Sequence, residues 1–148
     1  MELTIIIFLL GGLFLGWSLG ANDAANVFGT AVGTRMVQFK TAAIVCSIFV
    51  ILGAIISGSG TTETLGKLGS INALPGAFAA CIAAGLSVYI MTKSGLPVST
   101  TQAIVGAIIG WNLYTGSSTN IQVLITILGT WVLCPIIAGL LSMLFFCN

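Results

Sequence analysis

Asp23 stands between Asn22 and Asn26 in "GWSLGANDAANVFGTAVGTR", residues 16 to 35 of an otherwise apolar stretch. Set on a helix at 100° per residue, Asp23, Asn26, Thr30 and Thr34 fall within ~80° of one another. The opposite face is mostly Ala, Val and Phe28. A polar stripe of this kind faces a bundle interior or a water-filled cavity. If the chain opens at Gly20, the freed carbonyls suit Na⁺ and the next helix start suits an anion. The other reading is a polar patch that only joins helices. A second constellation is "SGLPVSTTQ", residues 94 to 102. Pro97 stops a preceding helix and pushes Leu96 to extended geometry. Ser99 is a good N-cap. Thr100, Thr101 and Gln102 then form a first turn whose free N–H groups suit an anion. Hydroxyls beside them would satisfy a tetrahedral oxyanion without fixed positive charge. An ordinary N-cap is the plainer reading. Glu63 and Lys67, four apart, are either an ion pair on a solvated turn or an entrance gate.

These residues must be positioned by membrane helices. Of 148 residues, 57% are hydrophobic and 5% charged, against ~25% charged in soluble domains. Such a chain cannot cover a water-facing surface. Histidine is absent, which removes imidazole catalysis and His ligation. No catalytic dyad is visible, so no enzyme is expected. A net charge of +1 gives no basic footprint for nucleic acid. Cys46, Cys81, Cys134 and Cys147 lie in or at the end of apolar runs and read as small hydrophobes. The only early charge is Glu2, so the N-terminus lacks a basic signal-peptide region and reads as a retained first helix.

The charges leave runs 3–22, 41–62, 68–92 and 94–148 uncharged, and a span needs ~20 apolar residues. We expect an all-α integral membrane protein, one domain over 1–148, with about five transmembrane helices. They are a first helix over 3–20 with a break near Gly20 and a short helix 22–35, then 40–57, 74–92, 100–114 and 120–146. The expected loop after the second helix is "SGSGTTETLGKLGS". Two segments, at Gly20 and at Pro97, are expected to be discontinuous or re-entrant. Pro135 should kink the last helix. Gly12, Gly16 and Gly20, Gly29 and Gly33, and Gly106 and Gly110 have the spacing that lets membrane helices approach closely. Arg35, Lys40 and Lys93 fall on one side and Lys67 on the other. That places the first three in the cytoplasm, by a bias small enough to permit both orientations.

"GANDAANVFGTAVGTR" closely resembles the signature G-A-N-D-x-x-N-x-x-G-T-x-V-G of the PiT family of inorganic phosphate transporters. "GLPVSTTQAIVGAIIG" is similar to the family's second motif, G-x-P-V-S-T-T-H-x-I-V-G-x-x-x-G. "TETLGK" is similar to a third, E-T-I-x-K. The three occur in family order over most of the chain. The resemblance implies secondary transport of inorganic phosphate with Na⁺ as coupling ion, or H⁺ in some members, and no other cofactor. It implies two inverted repeats in the cell (plasma) membrane. Na⁺ ligands carry over to Asn22, Asp23 and Asn26, and phosphate ligands to Asp23, Ser99, Thr100 and Thr101. Glu63 remains a candidate gate. Gln102 stands where many members have His, which favours Na⁺. Each motif occurs once here, whereas family transporters carry both twice. The chain then reads as one half of an inverted-repeat transporter. An inverted homodimer, a complementary C-terminal-half protein or a longer chain would complete it. Sulfate transport and a non-transporting scaffold are the alternatives.

Overall fold

The computed structural model describes residues 2–69 and 74–146; Ser70 and Cys147 lie outside them. The described residues form five helices: α1 Glu2–Gly33, α2 Phe39–Leu68, α3 Leu74–Lys93, α4 Thr100–Thr115 and α5 Ile121–Phe146. Four of them (α1, α2, α3 and α5) are long and apolar enough to cross a membrane. The protein is an all-α, multi-pass membrane protein. With 16 residues, α4 reaches only about 24 Å, short of a ~30 Å hydrocarbon core.

The expected break at Gly20 is absent: α1 runs unbroken through it for 32 residues. Glycine weakens a helix by ~1 kcal/mol relative to Ala but does not stop one. Here Ala21, Ala24 and Ala25 carry the helix onward, and no proline follows. The loop expected after residue 57 is also helix, so "TETLGK" lies on α2. Thr62 and Thr64 donate back to the carbonyls of Gly58 and Gly60, at 3.0 and 2.9 Å. Lys67 pairs with Glu63 one turn earlier. Hydroxyls bonded within their own turn let a Gly- and Thr-rich segment stay helical.

The one interruption inside the expected second segment is real and has two causes. Gly95, at φ +71°, takes the left-handed conformation that ends helices. Leu96 N–H then reaches the Met91 carbonyl at 3.0 Å and Gly95 N–H the Thr92 carbonyl at 3.0 Å. Pro97 prevents resumption, and α4 starts at Thr100 and returns along α3.

At the centre of the bundle is α3, whose buried residues are Gly76, Ala80, Ala84, Gly85 and Val88. These small side chains let α1 run parallel to α3 at close range. A Cβ on Gly11 would lie 2.7 Å from the Phe78 ring, and one on Gly85 would lie 2.8 Å from the Phe14 ring. At the far end, a Cβ on Gly76 would strike the Trp111 indole at 2.7 Å, which fixes α4 antiparallel to α3. Leu68, Val105 and Ile108 form the buried apolar cluster that ties α2 and α4 to Val123, Ile127 and Trp131 of α5. Asn120 N–H closes that end by donating to the Leu68 carbonyl at 3.1 Å. Arg35, Lys40 and Lys93 thus share one half of the bundle, and Lys67 lies in the other.

The glycines expected to pack helices do not do so within this chain. A Cβ at Gly12, Gly16, Gly20, Gly29, Gly33, Gly106 or Gly110 would meet nothing within 4 Å. The difference is measurable. Gly85→Ala should destabilise the purified protein by roughly 1–3 kcal/mol through overpacking, whereas Gly12→Ala, with open space around it, should stabilise it by up to about 1 kcal/mol through helix propensity. Thermal unfolding in one detergent compares them, and equal effects would contradict the α1–α3 packing.

Candidate functional site

The break between α3 and α4 sits beside the middle of α1, not at its end. Beyond Asn22, α1 continues for 11 residues to Gly33, about 16 Å. Asn22 is the hub. It is 4% exposed, and its amide donates to the Val98 carbonyl at 2.8 Å and to Asp23 Oδ1 at 3.0 Å. Its Oδ1 accepts from Thr92 Oγ1 at 3.2 Å. One side chain therefore joins α1, the last turn of α3 and the extended link. Such a fully bonded polar group satisfies the rule that buried polar atoms in a bilayer need partners.

Asp23 receives its second donor from the other motif. Thr100 Oγ1 donates to Asp23 Oδ2 at 3.3 Å, across 77 positions of sequence. Thr100 is buried, at 6% exposed. Ser99, extended at φ −86° and ψ 116°, caps α4 as expected, its hydroxyl accepting from Gln102 N–H at 3.4 Å. The carboxylate of Asp23 and the N-terminus of α4 thus lie together. The α4 dipole presents its positive end here, which favours an incoming anion. The outer face of Asp23 is open, as are Asn26 and Ser99.

Not every expected residue joins this cluster. Asn26 makes none of these bonds; it lines an open cleft of about 210 Å³ with Asn22, Thr92 and Pro97. Thr101 is turned by one helical step to the far side of α4, where it lines a different cavity, about 410 Å³, with Ser57, Thr61 and Thr64 of α2. Glu63 lies toward the other end of α2, exposed and paired with Lys67.

Two participants were not named from sequence. One is the Val98 carbonyl, since main-chain acceptors leave no signature in residue types. The other is Thr92, whose signal was its place in the last turn before a predicted break. Ser18, one turn before Asn22, is also notable: the residue is 2% exposed, and its buried hydroxyl has no partner among the described residues.

Fold and site together define a class: a multi-pass helical membrane protein with a carboxylate held against a helix N-terminus at an interrupted hairpin. Similarity narrows the class. The model of the phosphate transporter family matches residues 19–148. A protein of Pyrococcus furiosus named "Putative phosphate permease" is 36% identical over 96% of this chain and 37% of its own length. One from Haemophilus influenzae with the same name is 36% identical, covering 93% of this chain and 35% of its own length. One from Methanocaldococcus jannaschii is 39% identical, covering 88% and 42%. This chain belongs to the phosphate transporter family. It spans between a third and a half of the length of these relatives. No solved structure matches it.

Proposed function

We propose that this chain is one repeat of a two-repeat, Na⁺-coupled transporter of inorganic phosphate. The observation that carries the reading is the Thr100–Asp23 hydrogen bond, which joins a cation-binding group to an anion-binding helix start. A lone carboxylate with amide and carbonyl oxygens beside it suits a monovalent cation. Asp23 would hold Na⁺ with Asn22 and Asn26, and the cation would offset the carboxylate's repulsion of phosphate. Coupling follows, because phosphate meets an unscreened negative charge when Na⁺ is absent. Ser99 would hold a phosphate oxygen beside the free N–H groups of α4, and Thr100, whose single hydroxyl hydrogen now goes to Asp23, would turn it to phosphate once Na⁺ occupies the carboxylate. Thr101, on the opposite side of that turn, is left with its main-chain N–H as its contribution. The open face of Asp23 and Asn26 fits a second, inverted repeat, supplied by another copy or by a complementary chain.

The test is uptake of radiolabelled phosphate by proteoliposomes holding the purified chain, with and without a Na⁺ gradient. Na⁺-stimulated uptake that excess sulfate does not suppress supports the reading. Uptake suppressed equally by sulfate and phosphate would make the substrate oxyanions in general. Thr100→Val should raise the KM for phosphate about 3- to 10-fold, the value of one lost hydrogen bond. An unchanged KM would move the anion site elsewhere.

A further inference from the structure

The face of α1 opposite the polar stripe has its own feature. Gly20, Ala24, Phe28 and Val32 line an apolar groove of about 380 Å³, and Phe39 and Ala43 of α2 wall one end of it. Gly29 adds to its floor, and a side chain there would meet nothing within 4 Å. The groove closes where residues 34–38 join α1 to α2, at the buried Ala42. A wedge of this form has no room at its closed end for a helix, which is ~10 Å across. A single hydrocarbon chain is narrower and flexible.

Charge marks the same end. Arg35 follows three residues after the lining Val32, and Lys40 follows the lining Phe39 directly. No acidic residue occurs between Asp23 and Glu63, and Asp23 points from the opposite face of α1. We infer that the groove holds one acyl chain of an anionic phospholipid, with its headgroup phosphate between Arg35 and Lys40. The tail alone gives no selectivity, because bilayer lipid is as apolar as the groove. The two cations supply it, since basic residues at the membrane surface favour anionic headgroups. The inference does not depend on what the protein transports.

Native mass spectrometry of the purified full chain tests it, with phosphatidylglycerol or phosphatidylcholine of matched acyl chains. The chain retains phosphatidylglycerol about thirtyfold better, the preference two surface cations provide at ~1 kcal/mol each. Arg35→Gln with Lys40→Gln removes the preference, whereas Lys67→Gln, at the other end of the bundle, keeps it. Gly29→Leu, which fills open space, lowers retention of both lipids. Equal retention by the unaltered chain overturns the proposal, as does a preference that survives loss of Arg35 and Lys40. Displacement of the lipid by excess inorganic phosphate would assign the two cations to the free anion and overturn it. A dimer that retains neither lipid and is weakened by Gly29→Leu would show that a second copy fills the groove, and would likewise overturn it.

Discussion

Asp23→Asn is expected to lower Na⁺-driven phosphate uptake by about 10- to 100-fold, the value of one charge-assisted contact to the ion. The change removes the full negative charge and keeps the side-chain shape. Asp23 now accepts from both Asn22 and Thr100, and an amide has a single oxygen to offer. One of the two donors loses its partner, but the outer face of Asp23 is open to water or a replacement, so stability falls by only ~1 kcal/mol. Residual uptake in this variant should be insensitive to the Na⁺ gradient. Uptake that remains Na⁺-stimulated at the original level would remove Asp23 from the ion site.

The second large effect concerns stability. Asn22→Ala leaves the Val98 carbonyl and the Thr92 hydroxyl without their partner and takes a donor from Asp23. With Asn22 buried, each of these two orphaned groups costs ~1–3 kcal/mol, so the variant should lose about 2–6 kcal/mol. Asn26→Ala, three residues beyond Asp23 but exposed and outside the network, should change stability by less than about 0.5 kcal/mol. Denaturant unfolding in a common detergent separates the two. If both variants unfold alike, Asn22 does not hold α1 to the α3–α4 link.

The parts of the fold legible from sequence were those set by groups that leave no alternative. Pro97 lacks an N–H, so α3 had to end before it, and Ser99 followed by two threonines marked the start of α4 to the residue. A charge-poor composition dictated membrane helices. Gly20 misled because glycine only permits a break. With alanines on both sides of Asp23 and no competing acceptor, the helical ladder is the better use of the backbone. The polar end of α2 misled for a related reason. Its threonines find acceptors inside their own helix, so polarity did not require a loop. The glycine spacings misled as well, because spacing does not say which face meets a neighbour. Gly11 and Gly85 make the close approaches, while Gly12 and Gly16 face outward.

In the site, the resemblance implied that the two polar segments share one centre, and Thr100 does lie against Asp23. The division between Thr100 and Thr101 was not legible. Adjacent residues on a helix diverge by 100°, and which one faces Asp23 depends on how α4 is rotated by Trp111 against Gly76 and by Ile108 against Leu68.

The continuity of α1 through Gly20 constrains how the polar centre can change shape. A helix with a soft joint there could swing Asp23 while its first half stayed fixed. An unbroken one behaves as a push-rod. Displacement at its N-terminal end is delivered to Asp23 along the same axis, and the Phe14–Gly85 contact acts as a bearing against α3. The compliant part is then the six-residue link 94–99, anchored by Asn22 at Val98. Exposure of Asp23 to one side or the other would come from sliding α1 past that anchored link, with Asn22 as the catch that must be released first.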